Sequence, residues 1–197
     1  MIITVAHTKG GVGKSTIAWN LAHALLLDDK KVTIVDLDFQ QTLFFINALA
    51  EFPKLEVLQP ESPSELLEII AHHIGYLIID VGGFDTDINR IAMSRANKIL
   101  VPISESATEI IGFKTFEAIL GEIEATSINM VLNNIHPLQK DFTNVENAVA
   151  NANVKLLKTI IRQRKTYKTV LGLGKSVFES GDLKAINEIL GLKNELK

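Results

Sequence analysis

The chain has 197 residues, 47% of them hydrophobic, with 20 Lys and Arg against 23 Asp and Glu. That length and apolar content suffice for one domain with a sizeable buried core, and the nearly balanced charge points to no class of partner. There is no cysteine, which excludes disulfides, thiol catalysis and cysteine metal sites, and no uncharged apolar run of about 18 residues that would cross a membrane.

Short β-branched runs alternate with longer helical ones. In chain order the reading is strand 2–6, helix 16–27, strand 32–36, helix 41–50, strand 55–58, helix 63–73, strand 76–80 and helix 86–96. It continues with strand 98–102, helix 106–122, strand 127–133, helix 141–151, strand 157–161 and helices 166–172 and 182–195. Ser62-Pro63-Ser64-Glu65 and Ser106-Ala107-Thr108-Glu109 read as capping boxes, and Asp182 as an N-cap. Runs such as Val32-Thr33-Ile34-Val35 and Tyr76-Leu77-Ile78-Ile79 are apolar without alternation, as in strands buried on both faces. The expectation is an α/β doubly wound, mostly parallel sheet flanked by helices, forming one domain over 1–197. Ligands bind such sheets beyond the C-terminal ends of the strands. With no basic leader before the first strand, the chain is read as cytoplasmic.

The segment Lys9-Gly10-Gly11-Val12-Gly13-Lys14-Ser15-Thr16 lies between an apolar strand and a helix, the context of a phosphate-binding P-loop. Its glycines let backbone N–H groups turn inward, and the helix N-terminus adds partial positive charge. Lys14 is expected on the β/γ-phosphates and the Ser15 hydroxyl on Mg²⁺. The common pattern places Gly at position 8, where this chain has Thr8, followed by the extra Lys9. That run resembles the deviant Walker A loop of the ParA/MinD family of ATPases. The resemblance implies ATP and Mg²⁺ as cofactors, and it implies that Lys9 crosses a dimer to the partner's nucleotide.

Two acidic strand ends complete the expected site. Asp36 and Asp38 follow the second strand in Val35-Asp36-Leu37-Asp38-Phe39-Gln40. The family pattern is Asp-x-Asp-Pro-Gln, and Phe39 here replaces the proline. By resemblance Asp38 orients the hydrolytic water and Asp36 lies near the metal; the plainer alternative is that both cap the next helix. Leu77-Ile78-Ile79-Asp80 reads as a Walker B strand with Asp80 toward Mg²⁺, followed by the glycines Gly82 and Gly83. At the end of the sixth strand, the resemblance points to Asn133 rather than Asn134 as a base contact, with a turn-forming Asn pair as the alternative.

No acidic residue lies between Glu146 and Glu179, a stretch holding Lys155, Lys158, Arg162, Arg164, Lys165, Lys168 and Lys175. Together with Ser176-Val177-Phe178-Glu179-Ser180 it resembles the C-terminal part of short, ParF-type plasmid partition ATPases. The resemblance implies sequence-independent DNA binding through Arg164, Lys165 and Lys168, with Arg162 nearer the nucleotide. It also implies an ATP-dependent homodimer that can extend into larger assemblies, a ParB-like centromere-binding partner, weak intrinsic ATPase activity and a place on the nucleoid. A solvated basic face with no ligand remains the alternative. The last helix mixes Glu188 and Glu195 with Lys184, Lys193 and Lys197, so it is expected to pack in the core rather than anchor a MinD-like membrane-cycling protein. A small-molecule ligase or kinase with a similar loop is the third reading. The five histidines carry no metal pattern.

Overall fold

The computed structural model describes residues 1–51 and 54–197. Its elements are β1 (Ile2–Val5), α1 (Lys14–Leu26), β2 (Val32–Leu37), α2 (Thr42–Leu49), β3 (Glu56–Leu58), α3 (Pro63–His72), β4 (Tyr76–Val81) and α4 (Asp87–Ser94). Then follow β5 (Lys98–Ile103), α5 (Ala107–Glu122), β6 (Ile128–Ile135), α6 (Thr143–Val149), β7 (Val154–Arg162), α7 (Lys165–Leu171) and α8 (Leu183–Leu196), with a 3-10 turn at Val177–Glu179. All seven strands pair in parallel, in the order β3-β2-β4-β1-β5-β6-β7. Strand order reverses at β1, which has β4 on one side and β5 on the other. That is where an open α/β sheet leaves a crevice for a ligand.

Two cores cover the sheet. On one face Trp19, Leu21 and Leu25 of α1 pack with Ile3, Val5 and Ile34 of the strands and with Ile189 and Leu192 of α8. On the other, Phe113 and Phe116 of α5 and Leu66 of α3 pack on Leu77, Ile79, Val101 and Met130. The unalternating strands are therefore apolar because both faces are covered, as expected. β7 is three residues longer at its start than the apolar run suggests. Its apolar residues pack on both faces, Leu157 and Ile161 on one and Leu156 and Ile160 on the other, with Lys155 and Lys158 exposed.

Helix ends follow local chemistry with three departures. Ser62 Oγ accepts from the Glu65 amide at 3.2 Å, but Glu65 reaches back to the Glu61 amide, so only half of that box forms. The second expected box does not form. Glu109 accepts from the Ser104 amide at 2.7 Å, and Ser106 Oγ shares a hydrogen bond with Thr108 Oγ1 instead of capping. A true capping box occurs at Ser176 and Glu179, around the 3-10 turn. Asp182 caps α8 as expected, accepting from the Lys184 and Ala185 amides.

The Ser176–Ser180 segment is locked to the back of α1. Asn20 takes the Thr16 carbonyl with Nδ2 and the Val177 amide with Oδ1, and Trp19 Nε1 donates to the Lys175 carbonyl. The C-terminal motif thus supports the helix that carries the glycine-rich loop.

Candidate functional site

Three strand ends meet beneath the glycine-rich loop. Asp80 pairs in register with Val5 of β1 on one side and with Asp36 of β2 on the other. Gly11 (φ 80°) and Gly13 (φ 91°) hold left-handed backbone, which a side chain disfavours. A Cβ on Gly13 would also collide with Asn133 Nδ2. That amide donates to the Val12 carbonyl at 2.7 Å, so Asn133 braces the loop directly. α1 begins at Lys14, two residues before the expected start, so the motif itself forms the helix N-terminus.

Lys14 is buried, and its Nζ donates to the Lys9 carbonyl at 3.3 Å. Burial lowers its pKa, against the opposing pull of Asp80 and Asp38. Asp80 is fully buried, and neither of its oxygens has a partner at hydrogen-bonding geometry among the described residues. Burial pushes its pKa up to about 7; the nearby Ser15 hydroxyl and Lys14 oppose this, while Asp36 and Asp38 add to it. An unpartnered carboxylate at such depth is costly unless something neutralises it. With Ser15 beside it, the set of hard oxygen donors fits a Mg²⁺ that keeps several of its waters.

Asp36, expected near the metal, is engaged by backbone amides. Its Oδ2 accepts from the Leu43 and Phe44 amides at 2.9 and 3.1 Å, and its Oδ1 accepts from the Asp38 amide at 3.1 Å. Most of its lone pairs are thereby taken by backbone. Asp36 satisfies the open end of α2 and shapes the turn that presents Asp38. Asp38 itself is half-buried, on the wall of a cleft of about 690 Å³ shared with Thr8, Lys14, Ser15 and Gln40. Phe39 and Phe84 line the same cleft and are 92% and 76% exposed.

A second cavity of about 570 Å³ opens on the other side of the loop, between Gly11, Gly13 and Thr16 and the residues after β6 and β7. Asn133, Arg162, Arg164, Lys165 and Lys168 all line it, so the residues expected at the base and those expected at DNA share one space. Arg162 is fixed by donating to the His136 and Gln139 carbonyls at 3.2 and 2.7 Å. Asn134, with φ 57°, is exposed within β6, at an irregularity in its pairing with β7.

The acid-free stretch of sequence is not acid-free in space. Glu188 of α8 forms a bidentate ion pair with Arg164, Nη2 to Oε1 at 2.5 Å, and accepts from the Tyr167 hydroxyl at 2.9 Å. Glu195 accepts from the Lys158 and Thr159 amides. Arg164, expected at DNA, is ion-paired with Glu188 within the chain. Lys165 and Lys168 remain exposed. The apolar face of α8 is buried against β7 and α1, in line with the core-packing expectation.

Lys9 is half-buried and folded back onto its own subunit. Its stem lies over Gly112 of α5, and its Nζ donates to Thr108 Oγ1. The Lys9 amide donates to Nδ1 of His7 at 3.0 Å. Sequence reasoning gave His7 no role. Its place two residues before Lys9, where β1 runs into the motif, was the available signal.

A family model described as the CobQ/CobB/MinD/ParA nucleotide binding domain matches residues 3–177. The chain is 24% identical over 184 residues to "Protein ParA" of Rhizobium radiobacter, an alignment covering 88% of this chain and 83% of that protein. Apo McdA of Cyanothece superposes with a TM-score of 0.81 at 18% identity, covering 100% of this chain and 99% of the other. The septum site-determining protein MinD of Pyrococcus horikoshii OT3, complexed with Mg-ADP, gives 0.78 at 18% identity, covering 100% and 95%. The glycine-rich loop, the unpartnered strand-end carboxylate and the match over 3–177 lead to one conclusion: this chain belongs to the CobQ/CobB/MinD/ParA family of nucleotide-binding domains.

Proposed function

We propose that this chain is a DNA-partition ATPase, whose ATP-bound dimer binds DNA without sequence preference and releases it on hydrolysis. One juxtaposition carries the reading. Lys14, Ser15 and Asp38 line the cleft beside the glycine-rich loop, and the unpartnered Asp80 lies beneath it. Lys14 binds the terminal phosphates and neutralises charge that grows as the bond to the leaving group breaks. Ser15 and Asp80 would hold Mg²⁺, which would supply charge neutralisation to the phosphates. Asp38, on its Asp36-braced turn, orients the attacking water. Asn133 and Arg162 bound the space for the base and sugar.

Lys9 is poised on Thr108 in the single chain and leaves it to meet the phosphates of a second copy. Turnover in the isolated chain is then slow, because the site is complete only in the dimer. Lys165 and Lys168 supply phosphate contacts to DNA, giving weak and salt-sensitive binding. A ParB-like protein at a centromere accelerates hydrolysis. DNA is favoured over a membrane as the matrix, because the apolar face of α8 is already buried.

The decisive experiment is DNA binding by the purified chain with ATP, with ADP and with no nucleotide, across a salt series. The reading expects binding to arbitrary duplex only with ATP, weakening steeply with salt. ATP-dependent binding to anionic liposomes without DNA binding would replace it with the MinD-like reading. Asp38→Ala is expected to bind ATP normally and to hold the DNA-bound dimer; normal hydrolysis by that variant would remove Asp38 from its role.

A further inference from the structure

His7 lies where β1 passes into the glycine-rich loop, and the proposed cycle does not use it. The residue is 1% exposed, and its ring stacks on Phe116 of α5 with centroids 5.6 Å apart. Its Nδ1 accepts from the Lys9 amide, so the neutral ring carries its proton on Nε2. Burial, with Lys14 and Lys9 nearby, lowers its pKa to about 4, which keeps the ring neutral near pH 7. His7 Nε2–H is thus a buried donor, and it has no partner among the described residues.

Asn89 of α4 presents the complementary orphan. Its Nδ2 donates to the Phe84 carbonyl at 2.7 Å, while its Oδ1 is a buried acceptor with no partner among the described residues. His7 and Asn89 line the same small cavity of about 10 Å³, with Gly82, Phe84 and Phe116 also on its wall. That is about the room one water needs, and far too little for an anion or an organic ligand. A water accepts from one wall and donates to the other, satisfying two groups that otherwise carry the full penalty of burial.

We infer that His7 and Asn89 hold one structural water between them, and that this bridge fastens the glycine-rich loop to the loop after Asp80. His7 Nδ1 sets the backbone of Lys9, and Asn89 Nδ2 sets the backbone of Phe84. Between them the two loops already touch: a Cβ on Gly83 would lie 3.1 Å from the Thr8 carbonyl oxygen. His7 and Asn89 are positioning residues. They act through Lys9 and Phe84 and touch no phosphate.

Nitrogen-15 NMR of the imidazoles in the full-length chain tests this without any substitution. The expected spectrum shows His7 as the Nε2–H tautomer, unprotonated down to pH 5, with a slowly exchanging Nε2 proton that cross-relaxes to water. An Nδ1–H tautomer, an ordinary titration near pH 6.5, or an Nε2 proton without a water contact overturns the bridge. A double-mutant cycle adds a second readout. Asn89→Leu is expected to weaken binding of a fluorescent ATP analogue, and the loss is expected to shrink about threefold on a His7→Phe background. Equal loss in both backgrounds means that the two residues share nothing. Neither measurement involves DNA, so its failure leaves the partition reading untouched.

Discussion

The phosphate side of the site and the side lined by Arg162 to Lys168 are built in opposite ways. On the phosphate side, groups that would prefer water are held without full compensation. Lys14 is buried with a lowered pKa, and Asp80 is buried with both oxygens unpartnered among the described residues. On the other side Arg164 is answered within the chain by Glu188, and Glu195 accepts from the Lys158 and Thr159 amides. Incomplete satisfaction marks the place where a ligand supplies the missing partners. Internal pairing marks a scaffold, and the exposed Lys165 and Lys168 are available to an external polyanion.

The sharpest way to break this contrast is Lys14→Ala. It is expected to weaken Mg-ATP binding by ~100-fold or more, or about 2.7 kcal/mol, in a calorimetric titration. Binding within threefold of the parent would mean that the phosphates lie elsewhere. Gly13→Ala meets both a φ of 91° and the Asn133 amide, so a loss of about 2 kcal/mol in denaturant melts is expected. Adding Asn133→Ala should recover only part of it, because the backbone strain persists.

Asp80→Asn is expected to stabilise the nucleotide-free chain while removing Mg²⁺-dependent ATP binding. The folded-state pKa of about 7 lies above the ordinary 3.8, so the folded chain holds the extra proton between those values. Stability from this group is present below pH 4 and is lost as pH rises through 7. The advantage of the Asp80→Asn variant over the parent chain should therefore be small at pH 4 and reach about 1–3 kcal/mol by pH 8, read from melts in chelator. The smallest effect is expected on the other side. Glu188→Gln releases Arg164, raising DNA affinity by about two- to fourfold and steepening the salt slope by about one. Lys165→Ala and Lys168→Ala should move both quantities the other way. A Glu188→Gln variant with unchanged DNA binding would separate this surface from DNA altogether.

The order of strands and helices, and the positions of the glycine-rich loop, Asp38 and Asp80, were legible in the sequence, because each rests on residues close together in the chain. An apolar run bounded by turn residues announces a buried parallel strand, and the loop needs only eight consecutive residues to cradle phosphate. Asn133 was found at the correct strand end, but its bond to Val12 was not foreseeable from either segment alone. Asp36 admitted two readings, and its bonds to the amides of Leu43 and Phe44 are those of the cap.

Pairings across the fold were decided only by tertiary structure. Glu188 meets Arg164 because α8 packs on the edge strand β7, and an absence of acid along the chain says nothing of acid on the neighbouring element. Lys9 meets Thr108 at a separation of 99 residues, and the same hydroxyl diverts Ser106 from its expected cap. His7 and Asn89 share a cavity only because β1 lies beside β4, which leads into α4. Sequence by itself determined the elements and the place of the glycine-rich loop, since hydrophobic periodicity and backbone conformation are local properties. The fate of each buried charge and polar atom was left to the packing, because desolvation and hydrogen-bond satisfaction depend on what the fold brings within reach.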